Sequence, residues 1–314
     1  MSVIARFHTQ ASRFWHERVA RRVLATPPLQ PAEDGLLLFS MIGSSVVLPY
    51  LVAVKTLHRQ LNRGRVVLLD DGSLTEQDRD VLNAQLGRPE IIPIASVDTG
   101  PCPKGGTWER LLTILDRRAD HYVIQLDSDT VTLGPVPQVE QAIAANRSFT
   151  LAGGERAATI GFLPVPEFVA AFWPDGETHP HVQSVIESRM NELPGAGARR
   201  YARGCSGFAG FARGGSGREA AEAFSVEAER IVGNRWQEWG TEQVTSSYVI
   251  ANEPGAELLR YDHYFNYWNE PWNEAMRFIH FVGAHRYTNG AYLRTTRQAL
   301  GQIEAEAPLL TRRA

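Results

Sequence analysis

The sequence predicts an α/β fold with a mostly parallel central sheet and helices on both faces. Three observations carry this. Strand-like runs alternate with helical patterns along residues 36–126. The runs are almost wholly apolar, as in strands buried on both faces. Each run ends in a polar cluster, at Gly43, Asp70 and Asp127, and open parallel sheets bind ligands at the carboxyl ends of their strands.

The elements follow in order. Leu36–Ile42 is a buried strand, Gly43 turns the chain, Ser44 or Ser45 caps, and Pro49 falls in the first turn of a helix running to about Leu61. Gly35 to Val54 is a run of 20 residues without charge, long enough to span a bilayer. Gly43-Ser44-Ser45 breaks it, and the helix continues past it through Lys55, His58 and Arg59, so strand, loop and helix is the reading taken. Arg65–Asp70 is a strand ending in the turn Asp70-Asp71-Gly72-Ser73, and Thr75 caps the next helix. Ile91–Ile94 is a short strand, Thr107–Arg118 a helix and Tyr122–Leu126 a strand that delivers Asp127-Ser128-Asp129. The second half reads as loops and short elements that complete a site, and its glycine cluster from Arg203 onward reads as a close-packed backbone turn.

Composition bounds the function. The chain has 314 residues, 43% hydrophobic and 21% charged, with a formal net charge of -3. This is ordinary globular composition, and it carries no basic field for nucleic acid. Two cysteines, Cys102 and Cys205, form no zinc or redox spacing and fit a reducing compartment. No GxxxxGK[ST] occurs and no GxGxxG follows a strand, so neither P-loop chemistry nor a standard dinucleotide site is supported. Residues 1–30 are expected to be a basic helical extension, 31–300 the main domain and 301–314 a tail. Residues 3–24 carry five arginines (6, 13, 18, 21, 22) and one acid, Glu17. They fit either a helix docked on the domain or a peripheral membrane contact through residues 1–27.

The sharpest pattern is YVIQLDSDTVTLGP, Tyr122 to Pro135. On an extended chain, residues i and i+2 share a side, which places Asp127 and Asp129 together. Two such carboxylates repel unless a cation sits between them, and hard oxygen ligands suit Mg²⁺ or Mn²⁺ bridging a diphosphate.

A strand followed by DxD, with DDGS after an earlier strand, resembles the nucleotide-sugar glycosyltransferases of the GT-A fold. Further blocks along residues 36–290 resemble retaining glycosyltransferase family 8. Thr107-Trp108-Glu109-Arg110-Leu111-Leu112 is similar to the helix whose Arg meets the donor. Cys205-Ser206-Gly207-Phe208 is similar to the strand beside the donor sugar, and Glu242-Gln243 to an Asp-Gln pair near the anomeric carbon. His280 to Arg286 is similar to a block whose His is the third metal ligand and whose Lys holds the diphosphate. The departures are Arg286 for Lys, Cys205 for Asn, and Tyr287-Thr288 after the block. Trp239-Gly240-Thr241-Glu242 also resembles a stretch of some inverting galactosyltransferases.

The resemblance implies Asp127, Asp129 and His280 as ligands of Mn²⁺ or Mg²⁺. It implies Asp70, Asp71, Arg110, Ser128, Ser206, Gly207, Gly283 and Arg286 as donor-binding residues, with Lys104 as a further source of charge. Gln243 is implied near the reacting carbon if configuration is retained, and Glu242 as base if it is inverted. The donor is expected to be a UDP-sugar and the acceptor a saccharide or glycolipid, in a bacterial-type cytoplasm or at the inner membrane face. DSDTV also fits the nucleophile motif of haloacid-dehalogenase-like phosphatases, and a non-catalytic sugar-nucleotide-binding protein is the other alternative. The aromatic run Tyr261 to Trp272 is either an acceptor wall or core.

Overall fold

A computed structural model describes residues 3–176 and 179–310. In chain order the first elements are α1 (Val3–Ala20), β1 (Leu36–Ile42), α2 (Val47–Leu61), β2 (Arg65–Asp70), α3 (Glu76–Leu86) and β3 (Glu90–Pro93). Then come α4 (Trp108–Arg117), β4 (Tyr122–Leu126), β5 (Thr130–Thr132), α5 (Pro137–Ala144), β6 (Phe149–Ala152), α6 (Glu155–Ile160), β7 (Leu163–Pro164) and α7 (Val165–Phe172). The rest are α8 (Val182–Ser188), β8 (Arg200–Tyr201), β9 (Gly204–Phe211), α9 (Arg218–Val232), α10 (Thr241–Ala251), β10 (Glu257–Leu258), β11 (Tyr264–Tyr267), β12 (Phe278–Phe281) and α11 (Ala291–Leu310). The chain divides into two compact units, one of residues 1–92, 126–137 and 262–314, the other of 93–125 and 138–261. Among the described residues, no helix is long and apolar enough to cross a membrane.

In the first unit, β1 and β2 run parallel, with Ile42 opposite Asp70. Their ends therefore meet: Asp71 N–H donates to Ile42 C=O at 3.0 Å. A Cβ at Gly43 would come within 2.1 Å of an Asp71 carboxylate oxygen, so glycine lets that exposed side chain lie across the turn. Thr75 begins α3 through a reciprocal capping box with Asp78. Neither serine caps α2, which starts after a short 3-10 turn at Ser44–Val46. The Ser44 hydroxyl reaches Asp78 and the Ser73 carbonyl instead, so it ties two loops together.

A second sheet in this unit has the order β11-β12-β5. β11 and β12 are parallel, with Asn266 opposite His280, and β12 and β5 are antiparallel, with His280 opposite Thr130. Cross-strand partners share a face, so this register sets an Asn, a His and the end of the Asp-Ser-Asp turn side by side. Half of the aromatic run before it is core: Tyr264, Phe265 and Tyr267 are buried, Tyr261 and Trp272 are half-buried and Trp268 is exposed. α1 is docked through His16, which is buried, stacks on Tyr292 at 3.8 Å and bonds Thr296 Oγ1 at 3.0 Å. Residues 311–314 of the expected tail, and residues 1 and 2 of the basic segment, lie outside the described residues.

The second unit corrects two expectations. The glycine cluster is a turn only at its far end, Arg213–Gly214; Gly204–Phe211 is a strand buried along its whole length, antiparallel to β6. A Cβ at Gly210 would meet the Phe149 ring at 2.2 Å, so glycine here admits a neighbour's side chain. Nor is the second half only loops. Phe149, Phe168, Tyr201, Phe208, Phe211 and Trp236 form a buried set, and Arg118, fully buried, pairs with Glu253.

Candidate active site

The Asp-Ser-Asp turn is held at all three of its carbonyls. Thr130 Oγ1 donates to Asp127 O at 3.0 Å, Tyr292 Oη to Ser128 O at 3.2 Å, and Phe281 N to Asp129 O at 2.9 Å. Just upstream, Ser40 Oγ donates to Leu126 O at 2.7 Å. A turn pinned in this way can keep two like charges together, because its backbone has nowhere to relax.

His280 faces both carboxylates. Its Nε2 lies 3.2 Å from Asp129 Oδ1 and 3.9 Å from Asp127 Oδ2. One ligand atom from each of the three residues falls within 4.8 Å of the others. His280 Nδ1 sits 2.8 Å from Asn266 Oδ1. An amide oxygen only accepts, so the Nδ1 proton is spent there and Nε2 is the atom turned to the aspartates. A divalent cation held here would take the Nε2 lone pair together with both carboxylates. Two carboxylates and an oriented imidazole are a donor set that fits Mn²⁺ or Mg²⁺. Burial pushes the Asp129 carboxyl up, but His280 and Arg286 outweigh it and hold it below the ordinary aspartate range. Arg286 pairs directly with Asp129 and is reached through a 3-10 turn beginning at Gly283.

The second unit holds a different cluster. Trp108 Nε1 donates to Thr241 Oγ1 at 2.9 Å, which pins the start of α10 to the start of α4. Glu242, 2% exposed, then accepts from Thr107 Oγ1 at 2.9 Å, Ser206 Oγ at 3.2 Å and Arg110 Nη2 at 3.3 Å. The neighbouring Gln243 accepts from Ser206 N at 3.2 Å through Oε1 and donates to Gln183 Oε1 at 3.0 Å through Nε2. Gly207 follows Ser206 in buried β9.

Of the predicted residues, Asp127, Asp129, His280 and Arg286 thus meet in one unit, with Ser128 in their turn and Gly283 in the adjoining loop. Arg110, Ser206, Glu242 and Gln243 meet in the other. Asp70 is buried, accepts from Gly72 N at 2.8 Å and pairs with Arg79, while Asp71 is exposed. Lys104 is exposed. The sequence reading missed Asn266, Tyr292, Thr107 and Gln183. For Asn266 there was a signal: a lone amide in the apolar, aromatic strand Tyr264–Tyr267 must find a partner when buried.

No protein-family model matches the chain, and no curated protein matches it either. Solved structures do. One is the galactosyltransferase LgtC in complex with donor and acceptor sugar analogs, at 11% identity and a TM-score of 0.51, covering 84% of this chain and 95% of that one. Another is mouse xyloside xylosyltransferase 1 in its apo form, at 10% identity and a TM-score of 0.45, covering 80% and 98%. The first of these likenesses carries the fold: the chain is α/β, with the GT-A fold and a mostly parallel central sheet.

Proposed function

We propose that this chain is a metal-dependent glycosyltransferase. It moves a sugar from a nucleoside-diphosphate sugar, a UDP-sugar, to a hydroxyl of a saccharide or glycolipid acceptor. The observation that carries the reading is the Asp127–Asp129–His280 trio on a pinned turn, with Asn266 orienting the imidazole. These three residues would hold Mn²⁺ or Mg²⁺, and such an ion when bound supplies Lewis acidity at a leaving diphosphate. Arg286 adds a fixed positive charge beside Asp129, of the kind that stabilises developing phosphate charge. Ser128 and Gly283 shape the loops carrying these groups, and Asp70 and Asp71 are assigned to the base or ribose.

Gln243 is assigned to the donor sugar, with Glu242 behind it and Ser206, Gly207 and Arg110 around them. A general base needs a lone pair free for the acceptor proton. Glu242 is buried and already accepts from Thr107, Ser206 and Arg110, which favours Gln243 as the residue at the reacting carbon and a retained configuration. The setting we propose is a bacterial-type cytoplasm at the inner membrane face, with residues 1–27 as a peripheral contact. In support, Phe14 and Trp15 are 58% and 54% exposed on α1, and with Arg18, Arg21 and Arg297 they line a groove of about 730 Å³.

Thermal-shift screening of nucleotide sugars with and without Mn²⁺ tests the donor, since a ligand bound by the native state alone raises its melting temperature. Asp127→Asn/Asp129→Asn should remove the Mn²⁺-dependent response to UDP while the fold persists. An unchanged calorimetric UDP and Mn²⁺ titration in that variant would defeat the metal assignment. NMR of the product's anomeric configuration decides between Gln243 and Glu242.

A further inference from the structure

The carboxamide of Gln243 is nearly symmetric in shape, yet its two ends do opposite chemistry: the oxygen accepts and the NH₂ donates. The structure contains a device that decides which end faces which way. Ser206 N–H can only donate, and it meets Gln243 Oε1 at 3.2 Å. Gln243 Nε2 donates to Gln183 Oε1 at 3.0 Å, and Gln183 Nε2 donates to Glu187 Oε1 at 3.0 Å. Glu187 is fully buried, and Gln183 is 4% exposed. The Glu187 carboxylate also accepts from Tyr201 Oη at 2.8 Å and pairs with Arg203. Three donors therefore converge on it, as only an acceptor permits.

The chain Ser206–Gln243–Gln183–Glu187 thus has an obligate donor at one end and an obligate acceptor at the other. Its two amides fit between them in one direction only. Reversing either one sets oxygen against oxygen or NH₂ against NH₂ and leaves the buried Gln183 amide mispaired. Gln183 and Glu187 lie one helical turn apart on α8 (i, i+4), so a single short helix supplies both outer links.

We propose that Glu187, acting through Gln183, is a positioning residue that sets the polarity of the Gln243 amide. The function of the relay rests on the reading of Gln243 as the group that meets the donor sugar; the relay itself does not. It leaves Gln243 one N–H and one oxygen lone pair to offer a ligand, each at a fixed end. An enzyme that needs a donor at one defined point of the sugar gains a pre-set one, with no reorganisation at the moment of reaction.

The test is a double-mutant cycle between positions 187 and 243, read by thermal melting. In Gln243→Glu both ends of the side chain accept. Gln183 can satisfy it only by turning its NH₂ towards position 243, and its oxygen then meets the Glu187 carboxylate. Glu187→Gln removes that conflict, because its amide can donate. The double variant should melt about 2–4 °C above the additive expectation of the two single variants. Two carboxylates also repel through space, so the cycle is repeated with Gln183→Leu, which cuts the relay and should abolish the coupling. An additive cycle, or the same coupling with and without Gln183, would overturn the proposal. Should Gln243→Glu fail to fold, NMR of the side-chain amides replaces it. Wild type is expected to give one Gln243 NH₂ pair and Glu187→Gln a second, and a single unchanged pair in both overturns the proposal.

Turnover separates the relay from the function. If the chain hydrolyses or transfers from a nucleotide sugar, Glu187→Gln should lower kcat about 10- to 100-fold with KM within about twofold, and an unchanged kcat would remove the positioning role. Absence of turnover in every protein, wild type included, counts against glycosyl transfer and leaves the melting cycle to decide the relay.

Discussion

Two buried carboxylates, each beside an arginine, end up with opposite requirements. Asp129 sits against Arg286 in the first unit and Glu242 against Arg110 in the second. Around Asp129 the other near groups are a second carboxylate, Asp127, and the Nε2 of His280. Around Glu242 they are two hydroxyl donors, Thr107 and Ser206. The first cluster has more lone pairs than protons and wants a cation. The second pairs its acceptor with donors from its own unit. An acidic residue next to an arginine therefore says little by itself; the balance of donors and acceptors around it decides whether it is a metal ligand or a strut.

The largest effect that this contrast implies is on stability. Glu242→Ala removes the buried carboxylate opposite Arg110, and breaking a buried pair from one side costs about 3–5 kcal/mol. Asp127→Ala in chelator removes a like charge and should change stability by no more than about 1 kcal/mol. Urea melts of both variants check the pair, and a costlier Asp127→Ala would break the comparison.

Next comes metal affinity. Asn266→Ala frees His280 Nδ1 from its amide partner, and loss of such a partner weakens metal binding about 10- to 100-fold. Calorimetric titration with Mn²⁺ measures it; an unchanged affinity would mean that the imidazole is oriented by other means.

The third effect concerns the support behind the metal turn. His16 stacks on Tyr292, whose hydroxyl donates to the Ser128 carbonyl. Burial, assisted by the charge of Arg286, pulls His16 down to about 3. Its folded value thus lies below its unfolded one, and the unfolded chain binds the extra proton between them. Stability is full above the unfolded value near 6.5 and falls with pH down to about 3, which at pH 5 amounts to about 2 kcal/mol. His16→Gln should flatten the difference between melts at pH 7 and pH 5. The smallest effect is at the surface. Arg18→Ala and Arg21→Ala should each weaken binding to vesicles with anionic lipid about fivefold, with a steep dependence on salt. Equal sedimentation of the variants with neutral and anionic vesicles would leave α1 a purely docked helix.

The first unit was the more legible of the two from sequence. Leu36–Ile42 and Arg65–Asp70 are strands within their expected bounds, because apolar runs ending in polar turns have few other ways to be buried. The helix cap at Thr75 was equally local, since a capping box needs only four residues. The second unit was legible in its earlier segment, where Trp108–Arg117 and Tyr122–Leu126 fall as expected, and poorly read beyond it. Its strand Gly204–Phe211 is rich in glycine, and local propensity argues against a strand there. Neighbours from distant elements explain why glycine is needed: the Phe149 ring and the Tyr122 hydroxyl at Gly210, and Thr150 and Ser247 at Gly204.

The sequence by itself determined the α/β class, the strands that carry the acidic turns and the pairing of Asp127 with Asp129 two positions on. All of these depend on patterns shorter than a single element, where chain geometry leaves little choice. Tertiary structure decided what each acid does. Asp127 and Asp129 form a candidate cation site because strand register places His280 opposite Thr130 and Asn266 opposite His280. Glu242 became a strut because residues 36 and 135 positions away donate to it. A carboxylate's role is set by the protons and charges within a few ångströms of it, and in a folded chain most of those arrive from elements that sequence spacing does not connect.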